Sequence, residues 1–152
     1  MTWFEAKDYC EGEGGKLVEI DSEEENTALV DEINKKGYTD RSMNFWIGLT
    51  DLENEGDWRL ASNGMKASHL NWAHNQPNNK GGNENCARIK ILPLPLLSSA
   101  DTWSDIFCNS TDGFYTWISM HALCEFDPSK KSPSAESPST EDTSTKGAPA
   151  KS

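Results

Sequence analysis

A chain of 152 residues suits one domain with room for a short tail. Fourteen Lys and Arg against 25 Asp and Glu give a net charge of -11, which leaves nothing to neutralise a phosphate backbone. That excludes nucleic acid as a partner and is compatible with a cation binder.

Taken in chain order, Thr2 and Glu5 form a capping box ahead of WFEAKDYCEGEGG, which predicts a first helix ending at Gly14-Gly15. Trp3, Ala6, Tyr9 and Cys10 are expected on its buried face. KLVEI reads as a strand. Ser22 and Glu25 make a second box, and Leu29, Val30 and Ile33 give the second helix an apolar stripe up to Gly37. The acidic run Glu23 to Glu25 falls in its first turn, where the helix dipole favours it, and is read as a solvated cap. FWIGL is a continuous apolar strand, and TDLENEGDW an acidic loop. Residues 63–85 form a long polar loop, with Leu70 and Trp72 expected to anchor its middle. CARIKI and ALCEF read as closing strands. The chain after Phe126 has no aromatic or large aliphatic residue, so 1–126 is expected to be the ordered domain and 127–152 a disordered Ser/Thr/Pro-rich tail. No apolar run approaches the ~20 residues of a membrane span, and Met1-Thr2-Trp3 opens without a basic and apolar leader.

Cys10, Cys86, Cys108 and Cys124 leave three pairings open. None sits in a C-x-x-C pair, and His69, His74 and His121 lack metal-site spacing to them, so two structural disulfides in an oxidising compartment are preferred over free thiols. Asn109-Ser110-Thr111 is an N-glycosylation sequon, in keeping with secretion.

The stretch NQPNNKGGNENC concentrates amide and carboxylate oxygens in one loop. A hard cation such as Ca²⁺ takes six to eight oxygen ligands. Gln76, Asn78 and Glu84 supply three, and a cis bond before Pro77 would turn the first two towards one point. A disulfide between Cys86 and Cys108 would bring Ser104 and Asp105 to the same place.

In this order WFEAKDYC, GGKLVEI, WIGLTD, Asn71-Trp72, Gln76-Pro77-Asn78, Glu84-Asn85-Cys86, Trp103-Ser104-Asp105 and ALCE make the chain resemble a C-type lectin-like domain from Thr2 to Phe126. The resemblance implies an α+β double-loop fold with two helices, short antiparallel strands and disulfides Cys10–Cys124 and Cys86–Cys108, and a start without the family's first strand. It implies a Ca²⁺ held by Gln76, Asn78, Glu84, Ser104 and Asp105, the same side chains reading sugar hydroxyls. Glu84 follows Asn78 by six residues, as the family pattern has it. An auxiliary Ca²⁺ site would map to Asp51, Glu55, Asn79, Glu84 and Asn85, with two Asn where Asp is usual. Ser104 stands in place of the family's Asn and Gln76 in place of the mannose-type Glu, which predicts weaker Ca²⁺ binding. Residues 93–97 and 112–119 have no family counterpart.

The implied function is a secreted calcium-dependent lectin that binds glycans or glycoproteins, broadly or with a lean to mannose-type sugars. A lectin-like domain that binds a protein or other surface without sugar is the alternative, favoured by Ser104. An enzyme is not expected: no Ser/His/Asp arrangement has a recognisable context, and Glu84 and Asp105 are better explained as ligands than as an acid/base pair. Trp46, Trp58, Trp72 and Trp103 are read as core rather than as a sugar-stacking stripe.

Overall fold

The computed structural model describes residues 1–36, 43–91, 102–111 and 119–130. Helix α1 (Trp3–Gly12) begins where the sequence places its cap: Thr2 Oγ1 accepts from the Glu5 amide at 3.1 Å, and Glu5 Oε2 accepts from the Thr2 amide at 2.7 Å. Trp3, Ala6 and Cys10 are buried, but Tyr9 is 52% exposed. At 100° per residue those three fall within one narrow arc, and position 9 lies on its flank.

Helix α2 (Glu23–Lys35) is capped by Ser22 Oγ, which accepts from the Glu25 amide at 3.1 Å. The return arm differs from the expected box, since Glu25 Oε2 takes the amide of Asp21 at 2.8 Å. Val30 and Ile33 point into the core, as the stripe predicts.

The remaining elements are β1 (Lys16–Leu17), β2 (Met43–Thr50), β3 (Arg59–Leu60), a 3₁₀ turn (Lys80–Gly82), β4 (Cys86–Ile91), β5 (Thr102–Ile106), β6 (Met120–Ala122) and β7 (Cys124–Glu125). β1 and β7 form a small antiparallel sheet, and the larger sheet runs β3-β2-β4-β5. β6 also pairs with β2, and this pairing is parallel. ALCEF is therefore two strands in two sheets, the chain crossing over at Leu123, whose carbonyl accepts from the Val18 amide at 2.8 Å. KLVEI is a strand only at its first two residues.

Both faces of the large sheet are covered. Phe45, Ile47, Leu49, Ile89 and Trp103 pack with Val18, Ile20, Val30, Ile33 and Trp58 on one side. Trp46, Cys86 and Met120 pack with Trp3, Ala6 and Cys10 on the other. That explains why FWIGL is apolar without alternation. Trp46, Trp58 and Trp103 are core and Trp72 is half-buried against them, so the four do not form an exposed stacking stripe.

The fold is closed by Cys10–Cys124, with Cα atoms 5.4 Å apart, and Cys86–Cys108, at 5.1 Å. This is the pairing that the family resemblance implied. Segments 93–97 and 112–118, and the tail from 131, lie outside the described residues.

Gly48 packs β2 against the backbone of Leu17 to Glu19. A Cβ there would sit 2.9 Å from the Leu17 carbonyl oxygen and 2.8 Å from Glu19 Cγ. Gly48→Ala is expected to cost about 1–3 kcal/mol through overpacking, read as a lower denaturant midpoint at unchanged slope. An unshifted midpoint would mean that the two strands separate freely.

Candidate functional site

The long loop is fastened to the sheet by its backbone. Residues 71–73 run beside β5: Trp103 N–H donates to the Asn71 carbonyl at 2.9 Å, and Ala73 N–H donates to the Trp103 carbonyl at 2.8 Å. The side-chain anchor is Trp72, stacked edge-on against Trp58 with centroids 4.6 Å apart and near Trp103 at 6.2 Å. Leu70, expected to share this role, is 44% exposed, because the backbone pairing begins one residue later.

Past this anchor the loop turns back on Asp105, through a cis Gln76–Pro77 bond and left-handed Asn75, Asn79, Gly81 and Gly82. Asn tolerates that conformation better than other side chains with a Cβ, and Gly carries no penalty there. Asp105 is 4% exposed and accepts two backbone amides, Asn78 on Oδ1 at 3.0 Å and Asn79 on Oδ2 at 2.6 Å. Asn79 Oδ1 in turn accepts from the Glu84 amide at 3.0 Å. Lys80 N–H lies between Asn78 Oδ1 at 3.1 Å and Glu84 Oε2 at 2.9 Å. The amide-rich composition is thus used first to satisfy the backbone of a tight loop around one buried carboxylate.

Electrostatics join the other predicted residues to this centre. Burial raises the Glu84 carboxyl above its ordinary range, and the Asp105 charge adds to the push. Glu55 is raised by lost hydration and then by the neighbouring Asp51 charge, with Asp105 contributing, while Asn79 hydrogen-bonds to it and opposes the shift. Asp51 is buried; its Oδ2 accepts from the Gly56 amide at 2.9 Å, and Oδ1 has no donor among the described residues. Asn85 contributes its carbonyl, which accepts from Thr50 Oγ1 at 2.6 Å and the Asp51 amide at 3.2 Å. Asp51, Glu55, Asn79, Glu84 and Asp105 are therefore brought into one acidic neighbourhood. Gln76 Oε1 is buried and has no hydrogen-bond partner among the described residues.

Ser104 stands apart. Its hydroxyl accepts from Arg88 Nε at 2.9 Å, across the β4–β5 register that pairs the two residues. Burial lowers the Arg88 guanidinium from its ordinary value, and the Glu84 charge opposes the shift. Arg88 went unnoticed in the sequence, because Arg88 and Lys90 alternate with apolar residues in CARIKI and read alike, although Arg88 is half-buried and Lys90 is exposed. His74 is exposed, and no aromatic residue occurs in 79–83.

Residues 1–115 match the model of the Lectin C-type domain. The chain belongs to the C-type lectin family. A perlucin-like protein of Mytilus galloprovincialis is 38% identical over 110 residues, which cover 72% of this chain and 64% of that protein. The chain thus spans less than two thirds of this relative. Two solved C-type lectin domains share the fold. The mouse scavenger receptor C-type lectin carbohydrate-recognition domain aligns at 31% identity and a TM-score of 0.56, over 72% of this chain and 75% of that one. The cow CD23 domain, crystallised in the presence of a GlcNAc2Man3 oligosaccharide, aligns at 34% and 0.54, over 72% and 73%. The family is one of lectins and receptors, not of enzymes.

C-type lectin domains generally bind Ca²⁺, and the donor set here suits a hard cation in kind: two carboxylates and several amide oxygens, with no sulfur. Two buried oxygens lack donors among the described residues, Gln76 Oε1 in the principal set and Asp51 Oδ1 in the auxiliary one, and a cation in each set would satisfy them. Among the described residues no three His, Cys, Asp or Glu side chains form a metal cluster by themselves, so amides would have to complete the shell.

Proposed function

We propose that this C-type lectin domain is a calcium-dependent carbohydrate-binding module acting outside the cell, on glycans or glycoproteins. What supports the reading most is the clamp on Asp105, which gathers the Gln76–Asn78 turn and Glu84 around one buried carboxylate. Gln76, Asn78, Glu84, Ser104 and Asp105 would hold the ion, with Asp51, Glu55, Asn79 and Asn85 as an auxiliary set. Ca²⁺ held there would act as a Lewis acid towards sugar hydroxyls. Glu84 accepts from those hydroxyls, while Gln76 and Asn78, amides both, donate and accept. Two amides flanking Pro77 blur the donor and acceptor asymmetry that separates axial from equatorial hydroxyls. No aromatic face is offered by residues 79–83, so weak, broad binding with a lean to mannose-type sugars is the expectation. The lectin domain is taken as residues 1–126, with 127–152 as its tail. Asn109, exposed in a turn beside Cys108, is the proposed glycan acceptor.

A glycan array in millimolar Ca²⁺, with a chelator control, tests this. Calcium-dependent signal on mannose-type glycans is expected, and a sharp galactose preference would sink the specificity. The signal should fade on acidification from a higher pH than ordinary carboxylates would give. Glu84 has a raised pKa, so it takes up a proton, and gives up the cation, earlier as pH falls. The second reading, a lectin-like domain that binds protein without sugar, is favoured by one observation: the Ser104 hydroxyl is already bonded to Arg88. Binding that is absent with chelator and calcium alike would move the assignment there.

A further inference from the structure

The loop that carries the proposed ligands presents one cation. Between Asn75 and Asn85, Lys80 is the one basic residue and Glu84 the one acid. Lys80 opens the 3₁₀ turn Lys80–Gly82, between left-handed Asn79 and Gly81, and is exposed. Its amide donates to Asn78 Oδ1 at 3.1 Å and to Glu84 Oε2 at 2.9 Å, so its backbone is fixed beside two of the five proposed ligands. Its ammonium, by contrast, has no ion pair among the described residues. The flexible four-carbon stem of a lysine lets that charge reach past the ligand oxygens to whatever a metal there binds.

We infer that Lys80 makes this a site for anionic glycans: sugars whose hydroxyls reach the ion while a carboxylate, sulfate or phosphate on the same sugar meets the Lys80 ammonium. The inference rests on the calcium reading above, and it adds an acidic group to the mannose-type sugars expected there. Charge balance favours it. Glu84 and Asp105 carry one negative charge each, and a single divalent ion cancels both. An auxiliary ion would do the same for Asp51 and Glu55. Lys80 is then left without a counter-charge at the moment a sugar binds, and a neutral sugar brings none. The chain's net charge of -11 repels anions at a distance. Exposed charges beyond a Debye length of about 8 Å are screened at physiological ionic strength, so the local cation decides. Lys80 is thus a specificity-determining residue outside the ligand set.

The test is an NMR titration of the full chain in millimolar calcium chloride, with a chelator control and four probes: mannose, mannose 6-phosphate, mannose 6-sulfate and mannuronic acid. Wild type is compared with Lys80→Gln and Lys80→Met, which remove the charge, and Lys80→Arg, which keeps it. All three substitutions retain the backbone amide that Asn78 and Glu84 accept from. Wild type and Lys80→Arg are expected to bind the acidic sugars about two- to fivefold more tightly than mannose, the order of an exposed ion pair. The two neutral variants should lose that preference, and added sodium chloride should shrink it in wild type. A preference confined to one of the three acidic groups supports the inference and names the group. Calcium-dependent mannose binding without a wild-type preference overturns it and leaves the calcium reading standing, as does a preference that the neutral variants keep. No calcium-dependent binding of any of the four sugars removes the calcium reading itself, and the inference with it.

Discussion

Asp105→Ala is expected to lose calcium binding altogether and to loosen the loop even without metal. The two effects have separate causes. The first follows from charge: with Asp105 gone, Glu84 is the one carboxylate left in the principal set, facing amides and a hydroxyl. The second follows from the amides of Asn78 and Asn79, which donate to Asp105 at 3.0 and 2.6 Å. Asn78 is exposed, so water replaces its partner, but Asn79 is half-buried and its amide is left without one. A stranded donor of this kind costs about 1–3 kcal/mol. Urea melts in chelator should record that loss, and calorimetry the missing calcium heat. Asp105→Asn keeps a carbonyl towards one amide, so it should recover part of the stability and none of the calcium affinity. Full stability of Asp105→Ala in chelator would mean that the loop is held by something other than this clamp.

The sequence shows its elements best where one residue type does one job. Thr2 and Glu5 act as their pattern says, whereas the Cys10–Cys124 bond came from the family resemblance, the four cysteines alone leaving three pairings open. The sequence misleads where a residue answers to a partner far along the chain. β5 was not read as a strand because its inward positions are Trp103 and Asp105, and an acid on the core side breaks the alternation that marks a half-buried strand. That acid is tolerable only because the loop backbone some 26 residues away satisfies it. The division of ALCEF between two sheets is likewise invisible locally, since it depends on β2 and β1 being in reach at once. For the site, residue types singled out Gln76, Asn78 and Glu84 in one loop, and Asp105 joined them only through the family resemblance and the disulfide it implies. They did not reveal that the loop's amide oxygens mostly serve its own backbone, or that Ser104 is paired with Arg88 across the strand register.

The largest loss of stability is expected from removing the outer disulfide. Cys10 and Cys124 are 114 residues apart, and closing a loop of that length is worth about 4–5 kcal/mol in the chain-entropy model. Domains of this size are stable by only about 5–15 kcal/mol, so the Cys10→Ala/Cys124→Ala pair should leave the fold marginal at body temperature. The bond also fastens α1 to β7, the strand that pairs with β1 through Leu17 and Cys124, so its loss frees both ends of the small sheet together. Cys86–Cys108 spans 22 residues and is worth about 3 kcal/mol by the same argument. Its removal should have a different signature. Cys86 begins the strand that follows Glu84, and Cys108 lies just past the strand that carries Asp105, so the inner bond fixes the two carboxylates relative to each other. Denaturant midpoints in chelator should therefore fall further for the outer pair, and calcium affinity, measured under conditions where both variants are folded, should fall further for the inner pair. Reversal of either order would show that the bonds do not divide the work between holding the fold and holding the site.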